Sequence, residues 1–164
     1  MKERRVLKKR LGLLAGVLLI GLVGGVAAQA AIFRSAPISK FDGVDEIVNK
    51  CTSTTSFVAM PQMTRTFTVG GSGSGSVVVM FTGSLDLDTS GGAFDTGFVR
   101  LRIDGVPQSP GVVPVIGAGE RGSHGFTWQS QPLTPGSHTT SVQWRTDLGG
   151  NFCVDARSLT VLHK

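Results

Sequence analysis

Gly97-Phe98-Val99-Arg100-Leu101-Arg102-Ile103-Asp104 is the stretch whose reading decides the fold. Successive side chains of an extended chain point to opposite faces, so Val99, Leu101 and Ile103 line one side while Arg100, Arg102 and Asp104 line the other. One side is built for a core and the other for water. The same period of two places Phe126 with Trp128 and Val142 with Trp144. Val77-Val78-Val79-Met80-Phe81 is apolar at every position, the pattern of a central strand covered on both faces.

Outward from these runs, Gly, Ser, Thr and Val dominate from Cys51 onward, and turn residues punctuate short β-prone segments. Eight strands are predicted: 54–59, 63–69, 76–83, 97–104, 111–116, 125–129, 137–145 and 153–162. Pro114 removes a ladder donor and assigns its run to an edge. Gly70-Gly71-Ser72-Gly73-Ser74-Gly75 reads as a flexible hairpin loop within one domain. Eight short antiparallel strands, most with one apolar face, make an all-β sandwich of two packed sheets, a jelly roll or alternatively an immunoglobulin-like sandwich.

A resemblance supports the jelly roll. Leu133-Thr134-Pro135-Gly136-Ser137-His138-Thr139-Thr140-Ser141-Val142-Gln143-Trp144-Arg145, followed by Arg157-Ser158-Leu159-Thr160-Val161, resembles the closing strands of exported bacterial jelly-roll domains. The resemblance covers about thirty residues, the Pro-Gly turn and the alternating strand after it. It implies a fold and carries no catalytic residue.

The N-terminus has a different composition. Lys2, Arg4, Arg5, Lys8, Lys9 and Arg10 precede an uncharged run from Leu11 to Ala27, which ends in Ala28-Gln29-Ala30. Basic block, apolar stretch and small residues are the three parts of a secretory signal, with cleavage expected after Ala30. The alternative is an uncleaved anchor over residues 11–31, long enough to span a bilayer as a helix. Either way the rest of the chain is expected outside the cytoplasm, secreted or membrane-anchored, and touches the membrane only through its N-terminal segment. The six basic residues, less Glu3 among them, account for the formal charge of +5. Beyond Ala30 ten Lys/Arg stand against ten Asp/Glu, so no basic stripe for phosphates is expected and nucleic acid is set aside as a partner.

The expected domain plan is a signal at 1–30, a linker at 31–50 and a β-sandwich at 51–164. In the linker, Val44-Asp45-Glu46-Ile47-Val48 has the spacing of a short helix, and the segment reads as a tether or lid. Cys51 and Cys153 are the only cysteines, and an oxidising compartment favours their pairing. Such a bridge pins the first predicted strand to the last.

Chemistry is sparse. Asp86, Asp88 and Asp95, with Gly91 and Gly92, resemble the start of a calcium loop, but Gly97 occupies the position of the bidentate Glu. Calcium is the one cofactor these residues suggest. His124, His138 and His163 lack zinc-ligand spacing, and adjacent Ser123 and His124 point to opposite faces of a strand. No nucleophile elbow or phosphate loop occurs. Trp128 and Trp144 fall in phase with core residues and are alternatively a sugar platform. Arg100 and Arg102, beside Phe98, are a candidate partner-binding patch. The function expected is therefore an exported, non-catalytic sandwich with a binding or structural role toward a protein or glycan. The alternatives are a carbohydrate-binding module and a hydrolase drawing on the carboxylates of Asp86, Asp88 and Asp95.

Overall fold

The computed structural model describes residues 40–164, so the expected signal and the first part of the linker lie outside the described residues. Ten antiparallel strands form two sheets: β1 (Lys40–Glu46), β2 (Lys50–Thr52), β3 (Val58–Val69), β4 (Val78–Leu87), β5 (Thr96–Ile103), β6 (Val106–Pro107), β7 (Val113–Gly117), β8 (Glu120–Gln129), β9 (Gly136–Thr146) and β10 (Phe152–His163). The first sheet has the order β1-β10-β4-β8, with β2 also on β10. The second has the order β3-β9-β5-β6, with β7 also on β5. Apart from the short β2 and β6, the chain crosses between sheets at every step except β5 to β7. That path is a jelly roll. Among the described residues no helix is long and apolar enough to cross a membrane.

The alternation read at 97–104 is the burial pattern of β5, whose Val99, Leu101 and Ile103 are buried while Phe98, Arg100 and Arg102 lie half-exposed on the outer face. The core between the sheets also holds Phe67, Phe81, Leu85, Trp128, Val142, Trp144, Phe152 and Leu159. Pro114 sits in β7, which pairs only with β5 at the sheet edge. The run Val77–Phe81 departs from expectation. It enters a central strand, but only Val77, Val79 and Phe81 are buried; Met80 is 36 % exposed. Among the described residues no third layer covers that face, so a continuous apolar run here marks one covered side and one apolar outer row.

The segment 40–50 also differs from the linker expected. Val44–Glu46 belongs to β1, which pairs with β10 from Lys40↔His163 to Glu46↔Arg157. Two helical turns are marginal in water, whereas β10 offers a ladder of seven residue pairs and a core for Val44. Of the predicted strand 54–59 only Val58 and Ala59 are extended, the rest being loop; they join 63–69 in β3 through a bulge, where Pro61 and Gln62, the latter at φ 64°, let Met60 and Met63 both turn inward. A second bulge interrupts β10 between Val154 and Arg157. Arg157, 3 % exposed, ties the two together: Nε donates to Pro61 O at 3.2 Å, Nη2 to Gln62 Oε1 at 3.0 Å and Nη1 to Val48 O at 2.7 Å.

Cys51 and Cys153 are bonded and stand opposite one another in the β2–β10 ladder. The bridge therefore fastens the second strand, and not the first, to the last. β1 is held by its hydrogen-bond ladder and by His163, whose Nε2 lies 2.8 Å from Asp42 Oδ2.

Candidate functional site

The outer face of the second sheet gathers the most functional side chains. Register places Phe98 opposite Arg145 and Arg100 opposite Gln143, with Arg102 opposite Ser141. All point outward because their neighbours Val99, Leu101, Val142 and Trp144 fill the core. Phe57, just before β3, folds across the row. The Arg100 guanidinium carbon lies 4.1 Å from the Phe57 ring centre, and that of Arg145 lies 4.4 Å from the Phe98 ring and 5.2 Å from Phe57. Each such stack contributes about 0.5–1 kcal/mol when exposed and lays the arginines flat on the sheet.

Hydrogen bonds set the direction of these cations. Arg100 Nε donates to Gln143 Oε1 at 2.8 Å, and Arg145 Nη1 donates to Thr146 O at 2.8 Å and to Asp147 Oδ1 at 2.9 Å. Arg102 Nε is buried without a partner among the described residues. Arg100 and Arg102 are two positions apart on one face, about 7 Å along the strand. Neither has a carboxylate partner among the described residues. Burial, and then the neighbouring charge of Arg102, push the Arg100 guanidinium below its ordinary range. Two cations held together without a counter-charge form a surface that an anion relieves.

The other sequence candidates divide sharply. Trp128 and Trp144 are 0 % and 1 % exposed, and Trp144 packs on Phe152 with ring centres 5.2 Å apart. Neither serves as a sugar platform; both fill the space between the sheets. The calcium loop does not assemble either. Asp86 lies on the outer face of β4 with Arg121 Nε at 4.0 Å. Asp88 accepts from Ser90 and from Asn151 N, and the Ser90 hydroxyl, with these two N–H groups, holds its carboxyl below the usual range. Asp95 is 1 % exposed and accepts four backbone N–H groups, those of Thr96, Asp147 and Leu148 at Oδ1 and that of Gly150 at Oδ2. Burial pushes its carboxyl up, and the four donors together outweigh burial and hold it low. A Cβ at Gly91 would collide with Asp95 Oδ2, and Gly92 stands at φ 103°, so the glycines read as a metal loop serve close packing at one position and a turn at the other. Among the described residues no three His, Cys, Asp or Glu converge as a metal set. Of the three aspartates of the hydrolase alternative, Asp95 is buried with its oxygens taken by four backbone N–H groups, so it is no exposed partner for Asp86 or Asp88.

Two histidines sit on either side of Phe67 at the opposite end of the sandwich, with ring centres 5.7 Å away for His138 and 5.3 Å for His163. His138 Nδ1 meets Asp104 Oδ2 at 2.6 Å and Nε2 meets Thr134 O at 2.8 Å. Both partners are acceptors, so both ring nitrogens carry protons. The Asp104 hydrogen bond, and then the Thr134 carbonyl, raise the His138 pKa above its ordinary value. This is a clamp between two turns.

Sequence reasoning found Arg100 and Arg102 but missed Phe57, Gln143 and Arg145. Gln143 and Arg145 were legible, because they alternate with Val142 and Trp144. Phe57 belongs to no periodic run. Also missed was Phe94, 90 % exposed on the loop that Asp95 anchors.

Fold and face together define a jelly-roll β-sandwich domain with an arginine–aromatic outer surface. No family model matches the chain, and no curated protein does. Solved structures similar to it include the infectious bursal disease virus VP2 subviral particle, at 10 % identity and a TM-score of 0.50, over 76 % of this chain and 32 % of that one. The C-terminal domain of EclA, a sugar-binding protein, is similar at 17 % identity and a TM-score of 0.40, over 74 % of this chain and 79 % of that one. A family 35 carbohydrate binding module from Clostridium thermocellum follows at 14 % identity and 0.35, over 75 % and 99 %. The chain thus spans about a third of VP2, and likeness at such identities shows the fold alone.

Proposed function

We propose that this chain is an exported, non-catalytic binding module that docks an acidic partner on the outer face of its second sheet. The observation that carries this reading is the pair Arg100 and Arg102, side by side on β5, with Arg100 held against Phe57 and Gln143 and neither in an ion pair among the described residues. Free Nη groups of a flattened guanidinium are suited to bidentate carboxylate recognition. Export is supported by the basic–apolar–small pattern at the N-terminus and by the paired cysteines. Poly-L-glutamate tests the docking face. Immobilised at low salt it retains the protein, and R100A/R102A weakens retention by at least about tenfold, since a charged hydrogen bond contributes about 1.5–3 kcal/mol. Equal retention of both proteins refutes the reading.

A second reading, a sugar-binding module, is favoured by Phe94 alone. Its ring stands almost fully in solvent on a loop made rigid by the Asp95 network. Retardation by a neutral polysaccharide in affinity electrophoresis, abolished by F94A, is its test.

A further inference from the structure

The outer face of the first sheet has the opposite charge to that of the second. Asp45 projects from β1, Asp86 from β4 and Asp155 from the β10 bulge, with only Arg121 among them. Arg121 bonds Asp155 at 2.9 Å and lies 4.0 Å from Asp86, and Asp45 is in no ion pair among the described residues. The set sums to −2. On the second sheet Arg100, Arg102 and Arg145 with Asp147 sum to +2, Asp104 at the end of the row being paired with His138. Eight of the twenty charged residues beyond Ala30 thus give the two outer faces opposite sums.

Shape and apolar content follow the same division. A shallow depression of about 330 Å³ on the first sheet is floored by small and hydroxyl side chains such as Thr82 and Ser158, and is lined by Asp45, Glu46 and Ile47 with the buried Arg157 at its base. Thr82 and Ser158 satisfy each other at 2.7 Å, so the floor demands no partner for those hydroxyls. Ile47 is 83 % exposed, and Phe41 and Met80 continue the apolar surface along the same face. The second sheet presents a ridge instead, Phe57 stacked across Arg100 and Arg145. Depression with acids meets ridge with bases.

We propose that the acidic partner is a second copy of this chain: the first-sheet outer face of one molecule receives the second-sheet outer face of the next, so that sandwiches stack head to tail. The inference rests on the acidic-partner reading above and specifies it. The two contacting surfaces are different and lie on opposite sides of the molecule, so the contact is heterologous and does not close on itself; it propagates as a chain of copies. Paired charges on exposed surfaces are screened by salt, which makes the association dependent on ionic strength.

Sedimentation velocity on protein purified after expression of the full chain tests this. In 20 mM salt the average sedimentation coefficient rises with protein concentration, and 500 mM salt returns it toward the monomer. R100E/R102E, with acids on both faces, and D45K/D86K, with bases on the first face, each stay monomeric with unchanged far-UV spectra. Mixing them in equal amounts restores association, because each now complements the other. A wild type that stays monomeric in low salt at every concentration overturns the proposal; if it still binds poly-L-glutamate through Arg100 and Arg102, the acidic-partner reading stands without it, and if it does not, both fall. Undiminished association of R100E/R102E, or a mixture no larger than its components, overturns it as well.

Discussion

Replacing Asp95 by Asn probes the joint that holds one end of the sandwich together. The native carboxylate accepts Thr96 N at 2.7 Å, Asp147 N at 2.9 Å and Leu148 N at 2.8 Å on Oδ1, and Gly150 N at 2.6 Å on Oδ2. Asparagine has one acceptor oxygen and one donor nitrogen. In its better orientation the oxygen keeps three bonds and the NH₂ faces Gly150 N, donor against donor. A charge-assisted hydrogen bond contributes about 1.5–3 kcal/mol, and a buried N–H left unpaired costs about 1–3 kcal/mol. Gly150 is buried, and a Cβ there would already lie 2.5 Å from Asp95 Oδ2, so the loop has no room to retreat. D95N should therefore cost about 3–5 kcal/mol. With a urea slope of about 1–3 kcal/mol/M, the midpoint falls by at least about 1 M. The wild type also carries an acid dependence. Because the folded carboxyl is held low, its contribution is present above the unfolded value of about 3.9 and is lost as pH falls through the folded value. D95N lacks that dependence at this site. Urea midpoints at pH 7 and in a series from about pH 4 down to about pH 2 read both effects; a change below about 1 kcal/mol at pH 7 would falsify the account of Asp95 as the organising carboxylate.

Two further predictions concern the covalent and ionic ties. Reducing the Cys51–Cys153 bridge, which joins residues 102 apart, removes about 4.7 kcal/mol in the chain-entropy model, read as a drop in the urea midpoint with a thiol-free phosphine; no drop means the loop is already constrained when unfolded. His138 contributes fully below its unfolded pKa of about 6.5 and loses that contribution as pH rises through its raised folded value, while Asp104, held low by His138 despite burial, contributes above about 3.9 and fails as pH falls. Wild-type midpoints should therefore decline from neutral into alkaline pH and H138Q midpoints should not; parallel curves would remove the imidazolium from the explanation.

The fold was legible wherever the period of two coincided with burial. Val99–Ile103 and Phe126–Trp128 fixed two strands and Pro114 an edge, since each depends only on local alternation or on a missing donor. What failed was decided at a distance. β1 was hidden because Val44–Val48 satisfies a helical spacing locally, and only the open edge of β10 makes it a strand. Met60 and Met63, three apart, break alternation because a bulge anchored by Arg157, almost a hundred positions away, turns both inward. Val77–Phe81 announced its central place but not its bare outer side.

The site was less legible than the fold for a related reason. Composition reports a sum, and a chain with equal acids and bases reads as electrostatically featureless. The jelly-roll path then converts strand phase into geography. The outward phase of β5 and β9 carries arginine, whereas the outward phase of β1 and β4 carries aspartate. Neither assignment is visible until it is known which strands share a sheet. Arg100 and Arg102 stood out because two like charges at alternate positions of one strand need no topology to be noticed. Arg145 and Asp45 needed the register, since each acquires its meaning from a residue on another strand, Phe98 in one case and Ser158 in the other. A neutral total is thus compatible with two charged faces, and the interactions of such a domain depend on how its strands distribute charge and not on how much charge it carries.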